Sequence, residues 1–104
     1  LDRSAERRLL PLARERGVAV LANQPFGAGE LFGRVRGRPL PGWAADWDCA
    51  SWGQLFLKFI LANPAVTCVI PGTLKPRHVE DNLGAARGRL PGLAERERLL
   101  TALA

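Results

Sequence analysis

Val66-Thr-Cys-Val-Ile-Pro-Gly-Thr-Leu-Lys-Pro-Arg-His-Val-Glu-Asp-Asn82 is the stretch that decides the fold. Its first five residues, Val66 to Ile70, are dominated by β-branched and apolar side chains without polar alternation, the pattern of a strand buried on both faces. Pro71 and Gly72 end that strand. Pro76 can open a helix at its first position, where the missing N–H would be unpaired in any case. Thr73, Lys75, Arg77 and His78 put a hydroxyl and cationic groups around the helix start. A strand, a short turn and a helix N-terminus ringed with cations is a place to hold a phosphate, because free N–H groups and the positive end of the helix dipole converge there. The plainer alternative is that Lys75, Arg77, His78, Glu80 and Asp81 form only the solvated side of that helix.

Upstream, Ser51-Trp-Gly-Gln54 matches a capping box, in which Ser accepts from the third helical N–H and Gln reaches back to the cap. The helix it opens, Trp52 to Ala62, is apolar nearly all round with Lys58 as its only charge, so it needs partners on more than one side. Asn63-Pro64 stops it. Further back, Val18 to Ala22 is a second apolar strand, closed by Asn23-Gln-Pro-Phe-Gly27. It follows a helix from Asp2 to Arg16 whose Ala5, Leu9, Leu12 and Ala13 share a face. Pro11 kinks that helix or splits it in two, and Gly17 ends it. Between the strands, residues 28 to 50 are rich in Gly and Pro, with Arg34, Arg36 and Arg38 clustered, and read as a long functional or mobile loop. Trp43 and Trp47 fall on one face of a short helix, Trp43 to Cys49, as packing anchors or alternatively as an aromatic platform for a substrate.

Downstream, Val79, Leu83 and Ala86 line one face of the helix from Pro76 to Arg87, which Gly88 ends. A last helix, Leu93 to Ala104, gathers Leu93, Arg96, Leu99, Leu100 and Leu103 around a seam. Strand, helical crossover, strand is the rhythm of an α/β unit with a parallel sheet.

The chain has 104 residues, 47% hydrophobic and 24% charged, which excludes wholesale disorder. At this length only about 60–70% of the extended surface is buried on folding, so the core margin is thin. The net charge of +5 is carried by thirteen Arg and two Lys. They run from Arg3 to Arg98, and six of the Arg sit beside Glu or Asp, as in Ala-Glu-Arg-Arg and Ala-Glu-Arg-Glu-Arg, which suits solvated helix faces better than a nucleic-acid surface. Cys49 and Cys68 do not match metal-ligand spacing and read as two buried thiols in a reducing cytosol. Leu55 to Ala62, the longest apolar run, is broken by Lys58 and far shorter than the ~20 residues of a membrane span. No signal peptide is evident, and the expected location is cytoplasmic. A start at Leu1, with no Met or Tyr in the chain, suggests a portion of a longer protein.

The motifs carry a resemblance. Ile70-Pro-Gly-Thr-x-x-Pro-x-His78-x-x-Asp81-Asn82 is similar to the C-terminal cofactor signature of the aldo/keto reductases, usually Ile-Pro-Lys-Ser, four variable residues, Arg, and later Glu-Asn. The resemblance implies that this turn and helix grip the 2′-phosphate and adenine of NADP(H). It puts Thr73 at the phosphate-binding Ser position, His78 at the Arg position, and Asp81 with Asn82 on the adenine side, after Ile70 and Pro71. Gly72 replaces the Lys that folds over the cofactor. That departure opens NAD(H) as the alternative cofactor, unless Lys75 and Arg77 supply the lost cation. Gly17-Val-Ala-Val-Leu-Ala-Asn-Gln-Pro-Phe-Gly27 likewise resembles the family segment that stacks a Tyr on the nicotinamide. Asn23 stands at that Tyr, while Gln24, Pro25, Phe26, Gly27 and Ala28 take the positions near the pyrophosphate. Without the second motif, this segment reads as a plain strand-end turn with Phe26 filling the core.

The resemblance implies helix-strand-helix-strand-helix-helix as the C-terminal third of a (β/α)8 TIM barrel. Residues 1–104 would form a partial domain, the last two βα units plus the C-terminal helix. In such a barrel, phosphate is commonly bound after the seventh and eighth strands. The family transfers a hydride between the nicotinamide and a carbonyl or alcohol, using an Asp, Tyr, Lys and His on earlier strands. The Tyr is absent from this composition. Expected partners are the nicotinamide cofactor and the N-terminal part of the barrel, without which the chain alone is expected to be inactive. Two other readings compete: a nucleotide-binding module without catalysis, and a structural or interaction module with incidental affinity for nucleic acid.

Overall fold

The computed structural model describes all residues, Leu1–Ala104. After a 3-10 turn at Ser4–Glu6, the elements are α1 (Leu9–Glu15), β1 (Leu21–Asn23), α2 (Glu30–Arg34), a second 3-10 stretch (Gly42–Trp47), α3 (Trp52–Leu61), β2 (Cys68–Ile70), α4 (Pro76–Gly84) and α5 (Glu97–Leu103). β1 and β2 pair in parallel, with Leu21 opposite Cys68, Ala22 opposite Val69 and Asn23 opposite Ile70. The α/β rhythm is therefore present as two parallel strands joined by a helical crossover.

α3 is the centre of the molecule. Ser51 has extended backbone and its hydroxyl accepts from Gln54 N–H at 3.1 Å, half of the anticipated capping box. The other half is displaced by one residue, since Gln54 Oε1 accepts from the N–H of Ala50 at 2.8 Å. Every residue from Gly53 to Phe59 is buried. Leu55, Phe56 and Phe59 join Leu31, Val35, Ala44, Trp47, Cys49, Leu99 and Leu103 in one core. Trp43 and Trp47 lie 5.1 Å apart. Trp47 is wholly buried, so the pair anchors the second 3-10 stretch and is not a substrate platform.

Lys58 is fully buried within this apolar helix. Its ammonium donates to the carbonyls of Trp47, Arg87 (2.7 Å) and Arg89 (2.9 Å). A buried cation is tolerated when its donors are all used, and here they tie two connecting segments to α3.

Several sequence expectations need correction. The strands are not buried on both faces: Leu21 is 63% and Ile70 50% exposed, while Ala22 and Val69, on the opposite face, are partly buried. α3 packs against β2, and the face that carries Leu21 and Ile70 is left open. Cys68 shares that open face and is exposed, so only Cys49 is a buried thiol. The first helix is two pieces, broken before Leu9, with Pro11 inside the first turn of α1 where its missing N–H does no harm. Leu10 and Ala13 are its buried residues, whereas Leu9 and Leu12 are exposed.

Residues 28–50 are not one loop, since they contain α2 and the Gly42–Trp47 turn. α4 ends at Gly84, and Val79, Leu83 and Ala86 are exposed while Ala85 is buried. The last regular helix begins at Glu97 and not at Leu93. Nor are the arginines only solvated charges. Arg34 donates to Leu103 O at 2.8 Å and Arg38 to Ala102 O, satisfying the carbonyls that the end of α5 leaves open. Arg96 is buried with its guanidinium 3.9 Å from the centre of the Phe59 ring, paired to Glu6. No helix is long and apolar enough to cross a membrane.

Candidate functional site

Both motifs leave a strand at the same edge of the sheet, because β1 and β2 are parallel and in register. Ligands of open α/β sheets collect at this carboxyl edge. Here it borders a cleft of about 970 Å³. β1 delivers Asn23, Gln24, Pro25, Phe26, Ala28 and Gly29, and β2 delivers Ile70, Gly72 and Thr73. α2 adds Phe32, the start of α3 adds Ser51, Trp52 and Gly53, and α4 adds His78, Asp81 and Asn82.

The first wall is built by an unusual turn. Gln24 and Ala28 have φ of 47° and 54°, and Gly27 and Gly29 have 58° and 92°. Left-handed backbone is unfavourable for Gln and Ala by about 1–2 kcal/mol each and is held here by surrounding structure. Phe26 supplies part of that structure, with its ring 4.8 Å from Phe32 and 6.4 Å from Phe56. It therefore packs against the core and lines the cleft, combining the two roles that the sequence offered as alternatives.

The second wall is the turn from β2 into α4. Pro76 is the first helical residue, and Lys75 precedes it with extended backbone and no side-chain cap. Thr73 Oγ1 accepts from Lys75 N–H at 3.2 Å and lies 3.5 Å from His78 Nδ1. The N–H groups of Gly72, Thr73, Leu74 and Arg77 meet no acceptor in the protein. A hydroxyl, an imidazole and unpaired N–H groups at a helix start form a donor set suited to an anion.

Asp81 lines the cleft and is also held by the start of α3. The Ser51 hydroxyl donates to its Oδ2 at 2.6 Å, and the Gln54 amide donates to its Oδ1 at 3.1 Å and its carbonyl at 2.9 Å. Its carboxylate thus lies over the N-terminus of α3, where the helix dipole favours negative charge, and fastens α4 to α3. Gly84 lets this contact form: a Cβ there would lie 2.3 Å from Gln54 Nε2.

Ten of the thirteen predicted residues line the cleft: Gln24, Pro25, Phe26, Ala28, Ile70, Gly72, Thr73, His78, Asp81 and Asn82. Gly27, Pro71 and Lys75 do not. Gly27 faces a cavity on the α1 side, Pro71 turns into an apolar groove between α3 and α4, and Lys75 is an exposed residue outside the wall. Asn23, weighed at the aromatic position, does line the cleft. Gly29, Phe32, Ser51, Trp52 and Gly53 were missed as site residues. The capping box was the available signal, since it fixes where α3 begins, and that beginning is a third side of the cleft. No cluster of three metal-ligating side chains occurs.

The chain is similar to known proteins over most of its length. The aldo/keto reductase family model matches residues 1–92. Aldo-keto reductase str7 of Strobilurus tenacellus is 33% identical over 109 aligned positions, covering 79% of this chain and 32% of that protein. The crystal structure of the thermostable aldo-keto reductase Tm1743, in complex with the inhibitor epalrestat, superposes with a TM-score of 0.67 at 25% identity, covering 99% of this chain and 36% of that one. The chain therefore spans about a third of the length of each. With the family model matched across most of its length, this chain belongs to the aldo/keto reductase family.

Proposed function

We propose that the cleft is the phosphate and adenine end of an NADP(H) site, and that residues 1–104 serve as the last two βα units and C-terminal helix of a (β/α)8 reductase barrel. The observation that carries this reading is the convergence of both sequence motifs on one cleft whose wall holds Thr73, His78 and the unpaired N–H groups. That donor set fits a phosphate monoester, and the Phe32 and Trp52 rings give the opposite side a surface for a flat heterocycle. The dinucleotide, when bound, supplies the hydride that the family exchanges with a carbonyl or alcohol. Thr73 and His78 would hold its phosphate, while Gln24 and Ala28 orient the stretch next to it.

The open face of the sheet, with Leu21, Cys68 and Ile70 exposed, supports a barrel interior shared with further strands. The chain contains no tyrosine, so the family's proton donor would have to come from outside these residues. Residues 1–104 alone are accordingly expected to bind dinucleotide without reducing a carbonyl.

The test is a titration of Leu1–Ala104 with NADPH and with NADH, followed by tryptophan fluorescence because Trp52 lines the cleft. Thr73→Ala is expected to weaken NADPH roughly tenfold, the value of one charge-assisted hydrogen bond, and NADH much less. Equal losses for both would remove the 2′-phosphate role, and no binding of either would remove the reading itself.

A further inference from the structure

We propose that the carboxyl end of α5 is a remote positioning element for this cleft, with Arg38 holding the Trp52 indole in place, so that residues that never touch the ligand set the affinity for its flat heterocycle. The inference rests on the cofactor reading above and deepens it by naming what orders one wall. Its starting point is a difference between the two sides of the cleft. Thr73 and His78 belong to α4 and the turn before it, and no hydrogen bond or ion pair joins α4 to α5. The opposite side presents Phe32 and Trp52, and both trace back to α5.

Phe32 lies on α2, whose Arg34 donates to Leu103 O at 2.8 Å. Leu31 and Val35 of the same segment share the core with Leu99 and Leu103 of α5. Trp52 is reached through Arg38. The indole N–H donates to the Arg38 carbonyl at 3.2 Å, and the Arg38 guanidinium stands 5.9 Å from the centre of the same ring. That guanidinium also donates to Ala102 O at 2.5 Å.

A helix leaves its last carbonyls unpaired, so a guanidinium donating there gains a charge-assisted bond. The bond holds in one place a long side chain that would otherwise sample many rotamers. Arg38 then grips the indole twice, by cation–π attraction from its side chain and by a hydrogen bond to its carbonyl. Phe56, stacked on Trp52 with ring centres 6.0 Å apart, backs the indole from α3. Arg38 itself is exposed and does not line the cleft, so it acts through Trp52 and is a positioning residue. Arg36, two residues earlier and also exposed, makes none of these contacts. Phosphorylated and unphosphorylated dinucleotides carry the same heterocycle, so a shift of Trp52 should weaken both alike, unlike a change at Thr73.

The experiment measures dissociation constants of NADPH and NADH for Leu1–Ala104 by calorimetry, with Arg38→Ala, Trp52→Leu, the double variant and Arg36→Ala alongside. Arg38→Ala is expected to weaken both dinucleotides roughly fivefold, the lower end of what a base against an aromatic ring contributes. Arg36→Ala removes the same charge and should leave both affinities unchanged. In the Trp52→Leu background Arg38→Ala should have no further effect, because its influence passes through the indole. Hydrogen exchange of the indole N–H groups separates positioning from a general loss of stability: Arg38→Ala should quicken exchange at Trp52 and leave the buried Trp47 unchanged. Unaltered affinity in Arg38→Ala, a loss confined to NADPH, an equal loss in Arg36→Ala, additive losses in the double variant, or exchange quickened equally at Trp47 would overturn the inference while leaving the cofactor reading intact. Failure of the native chain to bind either dinucleotide would overturn both.

Discussion

α3 and α4 pack against each other but are buried to opposite extents. Seven consecutive residues of α3 are buried, Gly53 to Phe59, whereas α4 has none. α3 is held by apolar packing and by the three carbonyls gathered on Lys58. α4 is held largely by polar contacts, with Asp81 fastened to Ser51 and Gln54. The contrast separates two tasks. The scaffold lies in α3 and the elements around it, while the groups offered to an anion lie on the exposed helix and its preceding turn. Substitutions in the first region should act on stability and those in the second on binding.

The largest expected effect tests the scaffold. Lys58→Met keeps most of the volume but leaves the carbonyls of Trp47, Arg87 and Arg89 without their shared donor. Loss of a buried multidentate partner costs about 3–5 kcal/mol. Denaturant unfolding should show the midpoint falling accordingly. A loss below about 1 kcal/mol would mean that water replaces the ammonium and that the region is less closed than its burial implies.

Next comes the segment those carbonyls belong to. Gly88 has φ of +73°, and a Cβ there would lie 2.6 Å from Asp48 Cβ. Gly88→Ala combines left-handed strain with that clash, so about 2 kcal/mol of stability should disappear in the same unfolding measurement. Arg89 N–H, which donates to Asp48 Oδ2 at 2.8 Å, would be displaced with it.

These two sites also show what a sequence can and cannot disclose. The start of α3 was legible because Ser51 and Gln54 act locally, and the ends of both strands were legible because Pro and Gly interrupt apolar runs. Bringing ten predicted residues to one cleft needed only the inference that the two strands run parallel. The role of Lys58 was not legible, because its partners are carbonyls of residues far along the chain, and carbonyls carry no sequence signature. The same holds for Arg34 and Arg38 at the end of α5. α2 was hidden by Gly29, whose φ of 92° lets a helix start where the composition suggests a loop. Burial of the strands was overestimated because an apolar strand does not state what covers it.

A smaller effect tests the joint between the two regions. Ser51→Ala removes the cap of α3 and one support of Asp81, and should cost about 1 kcal/mol. Dinucleotide affinity should fall at the same time, since Asp81 and the α4 wall shift together. Unchanged affinity would show that the α4 turn is positioned by the sheet alone.

The two cysteines give a chemical version of the same contrast. Burial pushes the Cys49 thiol from its ordinary 9.0 up to about 11. Cys68, exposed on the open face of the sheet, should be alkylated in the native state, while Cys49 should react only after unfolding. Because the folded state retains the Cys49 proton between pH 9 and about 11 while the unfolded chain loses it, this group's contribution to stability declines as pH rises through that window. Equal native-state alkylation of both thiols would show that the core around α3 opens readily.

The smallest effect is the one expected on α4. Leu83 is 59% exposed, so Leu83→Gln should change the stability of this chain by less than about 0.5 kcal/mol. That near-zero result is as informative as the loss at Lys58, because it distinguishes an apolar side chain that holds the fold from one the fold merely displays. Leu83 borders an apolar groove with Val79, Leu57 and Val69. If Leu83→Gln destabilised the chain by more than about 1 kcal/mol, the groove would have to close in solution and bury the leucine. α4 would then be part of the scaffold, and the separation between a stabilising helix and a binding helix would fail.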